Sequence, residues 1–250
     1  MDISTYLERL NYRGSTAPTT QTLRDLQEAH LLTVPFENLS IHLNEPIVLE
    51  DSALYGKVVK RRRGGFCYEL NGLFATLLRS LGFNVTMLSA SVHTGRGNYT
   101  PEFDHMALLV TLDERWLVDV GFGDTFRLPL RLEDSTEQVQ PGGVYRFEPE
   151  KESYTLMECK HGGDWNAEYR FTLTPYEYAD FAAMCHFHQT SPESHFRRGR
   201  VCSRAAPDGR ITLSEMKFII TSLNGGRDEQ LLSSEEEYTR VLHEHFGIVL

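Results

Sequence analysis

The sequence predicts an α+β protein with a helical N-terminal part, a β-rich middle and a mixed α/β end. Apolar residues follow a helical period in the first eighty residues, and short β-rich runs separated by turn residues begin at Phe83. An S-x-x-E capping box at Ser234 opens a final helix. The chain of 250 residues is 40% hydrophobic, so it can bury a full core.

Three helices are expected in the first part, over residues 2–10, 20–32 and 67–81, with an irregular stretch before the third. The third helix has the clearest pattern, because its apolar residues recur at alternating steps of three and one and form one continuous face. These residues are Leu70, Leu73, Phe74, Leu77, Leu78 and Leu81. Gly82 is expected to end this helix.

The middle part is expected to form an antiparallel sheet or barrel, because its β-rich runs are short and bounded by Gly, Pro, Asp and Glu. The runs cover residues 83–92, 105–112, 115–120, 144–148, 153–159 and 168–174. A further helix over 175–188, strands over 200–205, 210–213 and 216–221, and the final helix complete the prediction.

Charge and hydropathy exclude several functional classes. A formal net charge of -10 argues against nucleic-acid or anionic-membrane binding, which would need a clustered basic face. No stretch approaches the roughly 18 consecutive apolar residues of a membrane span. The first ten residues lack a basic region followed by an apolar one, as in a signal peptide, so a cytoplasmic protein is expected.

The spacing of the cysteines and histidines does not indicate a metal site. The four cysteines lie far apart without a C-x-x-C pair, which argues against a zinc knuckle or a redox dithiol. Cys159, Cys185 and Cys202 are therefore expected to be buried, reduced thiols. His186 and His188 form an H-x-H pair, but no third ligand follows at a sensible spacing.

Cys67 is the candidate nucleophile. It follows a Gly-Gly pair and lies at the predicted start of the strongest helix. Backbone N–H groups and the helix dipole at such a position stabilise a thiolate, which would lower a pKa that is about 8.5 in free cysteine. The same N–H groups could hold an oxyanion. A small buried hydrophobe at a helix terminus is the other interpretation of this local pattern.

His105 and Asp119 are the candidate partners of Cys67. A catalytic thiolate needs an imidazole to accept its proton and a third group to orient that imidazole. His105 begins one predicted strand, and Asp119 lies within the apolar run of the next, where a buried carboxylate needs a partner. A three-residue turn at 113–115 would place both on one face but offset along the strands, and a two-residue turn would place them on opposite faces. Contact between them is therefore expected to need a bulge or strong twist.

The residues so far resemble a known family, the arylamine N-acetyltransferases of the papain-like cysteine-triad superfamily. The resemblance rests on Val-Pro-Phe-Glu-Asn-Leu at 34–39, Arg-Gly-Gly-Phe-Cys-Tyr-Glu-Leu-Asn at 63–71 and Asp-Val-Gly-Phe-Gly at 119–123. His105 before an apolar strand and Ser-Pro-Glu-Ser-His-Phe at 191–196 also match, in the family's order.

The resemblance implies a helical bundle over residues 1–82, an antiparallel β-barrel over 83–185 and an α/β lid over 186–250. It implies acetyl-CoA as donor and an aromatic amine or hydrazine as acceptor. Cys67, His105 and Asp119 match the nucleophile, base and orienting carboxylate of the family's triad.

The resemblance also assigns binding residues. Phe36 and Val92 match positions that line the acceptor pocket, and Phe196 falls near a pocket aromatic. The loop that accommodates the CoA pyrophosphate matches Gly121, Phe122 and Gly123.

Glu37 and Arg63 each lie beside one of these motifs. We expect them to form an ion pair that ties the second helical segment to the loop before Cys67, because Arg makes rigid contacts with carboxylates. Their expected role is positional.

Other functions use the same triad. A thiol protease, a transglutaminase-like enzyme and an amide synthase that closes a polyketide ring remain alternatives at this point, since the thiol chemistry is shared. The cytoplasmic expectation and the absence of a propeptide argue against the protease. A non-catalytic binding domain is disfavoured because all three triad residues are present.

Overall fold

A computed structural model describes residues 1–250 and contains seven α-helices and two antiparallel sheets. The helices are α1 (Ile3–Arg9), α2 (Thr20–Thr33), α3 (Leu39–His42), α4 (Asp51–Tyr55), α5 (Cys67–Ser80), α6 (Ala182–Thr190) and α7 (Glu235–Phe246). A π-helical turn, Gly56–Lys60, continues α4, and 3₁₀ turns cover Tyr178–Phe181 and His195–Arg197. None of the helices combines the length and apolar character of a membrane-spanning segment.

The strands are β1 (Phe36–Glu37), β2 (Asn84–Val92), β3 (His105–Thr111), β4 (Arg115–Val118), β5 (Leu130–Arg131), β6 (Gln138–Gln140), β7 (Gly143–Glu150), β8 (Ser153–Cys159), β9 (Trp165–Thr172), β10 (Val201–Ala206), β11 (Gly209–Ser214), β12 (Lys217–Ser222) and β13 (Arg227–Leu231). Eight of them form one sheet in the order β5-β4-β3-β2-β9-β8-β7-β6, which curls into a nearly closed barrel. The predicted α+β class with a helical bundle, a β-barrel and an α/β lid is confirmed.

Glutamine side chains bridge the two edge strands of the barrel. Gln138 accepts from the backbone N–H of Arg131 (2.8 Å) and donates to its carbonyl (3.0 Å). Gln140 makes the same pair of bonds to Leu128. The amides thereby satisfy backbone groups that an open edge would leave unpaired.

Helix α5 lies at the centre of the larger core. It packs on the outer face of β2 and β3 and contacts α1 and α4 on its other side. The predicted apolar face is buried except at Leu81, which is half-buried, and Leu70, Leu73 and Phe74 are fully inaccessible to solvent. A smaller apolar cluster fills the barrel interior, and a third lies between α7 and the second sheet.

The second sheet has the order β1-β10-β11-β12-β13. It joins Phe36 and Glu37, near the N-terminus, to the C-terminal part of the chain, because Phe36 pairs with Ser203. Ser234 caps α7 as predicted, while Glu237 returns to the backbone N–H of Ser233. The division at residues 1–82, 83–185 and 186–250 stays a proposal, and α6 spans its second boundary.

Candidate active site

Strands β3 and β4 bring His105 and Asp119 into contact, with His105 Nε2 2.6 Å from Asp119 Oδ2. The ladder is regular from Thr111–Arg115 to Leu108–Val118, so it contains no bulge. Continued by one pair, it would place Asp119 opposite the second residue after His105, and such diagonal neighbours are within reach of long side chains. The ladder thus supplies the contact without a bulge, and the two residues share one face, as expected for a three-residue turn and not for a two-residue turn.

Four hydrogen bonds satisfy the fully buried carboxylate of Asp119. Its Oδ2 accepts from His105 and from the hydroxyl of Tyr169 (3.1 Å). Its Oδ1 accepts from Asn71 Nδ2 and from the backbone N–H of Gly121, both at 2.8 Å. With every acceptor direction used, the carboxylate is held in one orientation, and so is the imidazole bonded to it.

Close backbone packing places Cys67 at the first residue of α5, as predicted. A Cβ on Gly64 would lie 2.0 Å from the carbonyl oxygen of Pro35, so only glycine lets these two segments approach. The helix start is fixed by Glu69, whose Oε2 accepts a hydrogen bond from the Phe66 N–H at 3.1 Å. The Gly-Gly pair thus allows the segment at 34–39 to pack closely against the loop before Cys67.

The electrostatic environment of Cys67 differs from the expectation. Burial raises the pKa of its thiol and outweighs a hydrogen bond from the Met106 backbone, which lowers it. The negative charges of Asp104 and Asp119 raise the pKa further. The predicted lowering by the helix terminus alone was therefore wrong, because the side chain is only 3% exposed and lies near two carboxylates.

A cleft of about 860 Å³ contains the predicted site. Cys67 and His105 both line it, while Asp119 lies behind His105 and is fully buried. Five of the six predicted binding residues line the same cleft, namely Phe36, Val92, Phe196, Gly121 and Phe122. Gly123 is not among its lining residues.

The two glycines of the 119–123 segment have local structural roles. A Cβ on Gly121 would lie 2.7 Å from Cys67 Cα and 2.8 Å from Asn71 Nδ2, so a side chain there would displace the nucleophile's helix. Gly123 has φ +98°, a backbone conformation that L side chains rarely adopt. Gly123 lies against the ring of Phe36. Phe122 lies between the two glycines, and the centroid of its ring is 5.0 Å from that of His105.

The predicted ion pair between Glu37 and Arg63 is confirmed. Arg63 Nη2 lies 3.0 Å and Nε 3.1 Å from Glu37 Oε1, and both side chains are buried. The pair belongs to a larger network, since Lys57 Nζ lies 3.7 Å from Glu37 and 2.8 Å from Glu69. The network therefore reaches the carboxylate that fixes the start of α5.

Sequence reasoning missed Asn71 and Tyr169. Asn71 lies one helical turn after Cys67, and its side chain also donates to the Met106 carbonyl (2.6 Å) and accepts from the Val120 N–H (2.9 Å). The i, i+4 spacing from the nucleophile was the signal that could have identified it. Tyr169 comes from β9, and only the pairing of β9 with β2 brings it to Asp119.

The other titratable residues singled out by the sequence lie outside the triad. Cys159, Cys185 and Cys202 are free and buried. His186 is exposed and His188 is buried, so the two do not converge on one point. No group of three or more His, Cys, Asp or Glu side chains is placed to hold a metal ion.

Comparisons with known proteins agree with this geometry. The model of an N-acetyltransferase family matches residues 19–250. The arylamine N-acetyltransferase of Escherichia coli is 35% identical over 97% of this chain and 87% of its own length. The proansamycin X synthase of Amycolatopsis mediterranei is 30% identical over 95% and 94%.

The structural comparison agrees as well. The Mycobacterium marinum arylamine N-acetyltransferase in complex with CoA superposes with a TM-score of 0.91 at 35% identity, covering 99% of this chain and 93% of that one. The chain therefore belongs to the arylamine N-acetyltransferase family and is an acyltransferase.

Proposed function

We propose that this protein transfers the acetyl group of acetyl-CoA to arylamines or arylhydrazines by a ping-pong mechanism through acetyl-Cys67. One observation carries the proposal: Cys67 and His105 line the same cleft, and Asp119 holds His105 Nε2 at 2.6 Å. That arrangement supplies a nucleophile, a base and an orienting carboxylate.

The hydrogen bond to Asp119 assigns the two imidazole nitrogens. With Nε2–H donating to the carboxylate, Nδ1 keeps its lone pair and accepts the thiol proton of Cys67. The sulfur attacks the thioester carbonyl of acetyl-CoA, forming a new S–C bond. The S–C bond to CoA then breaks, the leaving thiolate takes the proton from His105, and acetyl-Cys67 remains.

The second half-reaction reverses these roles. A neutral arylamine or arylhydrazine enters the vacated cleft, and its nitrogen lone pair attacks the acetyl carbonyl of acetyl-Cys67. The N–C bond forms, the S–C bond to Cys67 breaks, and His105 Nδ1 removes the proton from the attacking nitrogen. The proton then lies on the Cys67–His105 pair, so the enzyme returns to its starting state.

The cleft walls support these substrates. The aromatic rings of Phe36 and Phe196, 6.2 Å apart, offer apolar surface for the ring of the acceptor. The CoA-bound relative from Mycobacterium marinum supports CoA as the donor's carrier. We propose that Gly121, Phe122 and Gly123 form the turn beside which CoA lies.

An amide synthase is the second candidate. One relative, proansamycin X synthase, is named as a synthase and not as an acetyltransferase, and it spans nearly the whole chain. The same triad would then form an amide within one molecule that is bound to Cys67 as a thioester. The two candidates differ in the acyl group that Cys67 accepts.

Intact-mass spectrometry after incubation with acetyl-CoA tests the proposal. We expect one acetyl group on Cys67 and the release of one equivalent of CoA. The acetyl group should then leave Cys67 when an arylamine is added. A Cys67→Ala variant should remain unmodified, while the matched Cys185→Ala variant, another buried cysteine, should be acetylated normally. Acetylation at several cysteines, or none in the wild type, would contradict the proposal.

A further inference from the structure

A second buried contact between titratable groups lies beside the triad but has no part in the proposed reaction. The imidazole of His188, on α6, is 1% exposed, and its Nε2 lies 3.2 Å from Asp104 Oδ1. Asp104 immediately precedes His105 and lines the same cleft. Helix α6 is thereby connected to the start of the strand that carries the proposed base.

Hydrogen bonds assign the state of the His188 ring. Its Nδ1 lies 3.1 Å from the hydroxyl oxygen of Ser194, which also accepts from the backbone N–H of Phe196 at 3.3 Å. Because the oxygen accepts there, the hydroxyl proton is free to donate to Nδ1. Nε2 then carries the proton that faces Asp104, a carboxylate able to accept it.

The ring of His188 also packs against the acceptor wall. It meets the ring of Phe196 edge-on, with centroids 5.0 Å apart at 88°, and stacks on Tyr68 at 6.1 Å. Phe196 in turn lies edge-on to Phe66, 5.5 Å away. Ser194 thus contacts the backbone N–H of Phe196 and His188 contacts its ring, while Asn38 and His42 lie 2.8 and 3.0 Å from its carbonyl oxygen.

The negative charge of Asp104 favours the contact with the His188 imidazole. Burial raises the pKa of Asp104, but hydrogen bonding from His188 and the further partners of the carboxyl lower it by more. Asp104 is therefore an anion in the cleft at neutral pH, and an anion at this depth needs a donor. The imidazole of His188 meets this need as an ion-pair contact, with Nε2 3.2 Å from Asp104 Oδ1, and no hydrogen bond competes for Nε2.

We propose that His188 is a positioning residue of the acceptor pocket, which holds Phe196 against the ring of an aromatic acceptor through Asp104 and Ser194. This proposal rests on the acetyl transfer proposed above. It predicts that the loss caused by removing His188 depends on whether the acceptor has an aromatic ring.

Phenylhydrazine and hydrazine provide the test, because they share the attacking N–NH₂ group and differ in the ring. The His188→Leu variant should lower kcat/KM for phenylhydrazine about tenfold through KM, which corresponds to about 1.4 kcal/mol of binding free energy. Its kcat/KM for hydrazine should stay within about twofold of the wild type. The same substitution at exposed His186, two residues earlier on α6, is the matched control and should change neither value.

A second variant keeps the test decisive if His188→Leu does not fold. Ser194→Ala removes the hydroxyl that links His188 to the Phe196 backbone but keeps both rings. It should lower kcat/KM for phenylhydrazine about threefold and leave kcat/KM for hydrazine unchanged. Adding it to His188→Leu should cost little more, since both act on one element. Equal losses for both hydrazines, or no loss for either, would overturn the positioning role.

The result also separates this proposal from the acetyl transfer itself. A wild-type protein that forms no acetyl-Cys67 and acetylates neither hydrazine would refute the proposed function. If the wild-type protein acetylates both hydrazines and the variants lower kcat/KM for both by the same factor, only the role of His188 would be refuted.

Discussion

Removing the guanidinium of Arg63 should destabilise the protein strongly, because it leaves a buried carboxylate undercompensated. Arg63 is 3% exposed, and its partner Glu37 is fully buried. In an Arg63→Ala variant, Glu37 Oε1 loses contacts of 3.0 and 3.1 Å and keeps only the ammonium of Lys57, 3.7 Å away. That ammonium is already bonded to Glu69 at 2.8 Å.

The magnitude follows from this geometry. Breaking a buried ion pair by removing one partner costs about 3–5 kcal/mol of unfolding free energy. Because Lys57 stays near Glu37, we expect the lower end, about 3 kcal/mol. In a protein of this size each kcal/mol shifts the melting temperature by about 2–4 °C, so Tm should fall by about 6–12 °C.

Thermal unfolding of Arg63→Ala beside Arg61→Ala is the assay. Arg61 is a matched control, since its guanidinium is 57% exposed and lies 4.0 Å from Glu45. Exposed pairs of this kind contribute about 0–1 kcal/mol, so its Tm should barely change. Equal Tm values for the two variants would refute the reasoning, and so would a full additional loss when Glu37→Ala is combined with Arg63→Ala.

The same pair predicts a dependence on pH. Burial raises the pKa of Glu37, but Lys57 and Arg63 lower it by more, so its folded-state pKa lies below the ordinary value of 4.5. The stability that Glu37 contributes is therefore present above about pH 4.5 and is lost as the pH falls through the folded-state pKa. The difference in stability between the wild type and Arg63→Ala should narrow over that interval.

Three further predictions concern the site itself. Iodoacetamide at pH 6 should modify Cys67 before Cys185, because only Cys67 lines the cleft, and peptide mapping that finds equal rates would contradict the assignment of the nucleophile. Asp119→Asn should leave the protein folded but move the alkylation profile of Cys67 to higher pH and lower turnover by a large factor, below the roughly 10⁴ of a serine triad; an unchanged profile would remove Asp119 from the triad. Gly121→Ala should cost about 1–3 kcal/mol by overpacking, whereas Gly56→Ala, whose Cβ would meet nothing within 4 Å, should be neutral in the same denaturation measurement.

Strong periodic patterns made most of the fold predictable. The residues of α5 share one apolar face, and the run at 153–159 is bounded by clear turns. Both elements were predicted close to their observed bounds. Strands β5 and β6 have only two and three residues, too few for a period to show. Strand β13 is exposed along its whole length, so no apolar pattern marks it.

Site residues that lie in short sequence motifs could be predicted. Residues that only the tertiary fold brings to the site could not. Cys67, His105 and Asp119 each lie in a recognisable segment, and the structure brings His105 and Asp119 into contact. Tyr169 reaches Asp119 from a strand distant in sequence. The direction of the Cys67 pKa shift was also missed, because helix termini are visible in a sequence whereas burial of a side chain is not.

The raised pKa of Cys67 has a consequence for how the triad would work. A lone thiolate in this buried place is disfavoured, since burial and the nearby carboxylates both oppose its charge. Transfer of the proton from Cys67 to His105 leaves the net charge of the site unchanged, because the thiolate and the imidazolium form together beside the anionic Asp119. The reactive thiolate would therefore exist only as one member of an ion pair, and its titration belongs to the pair and not to either residue. For this reason a variant at Asp119, which does not line the cleft, should still change the pH at which Cys67 reacts.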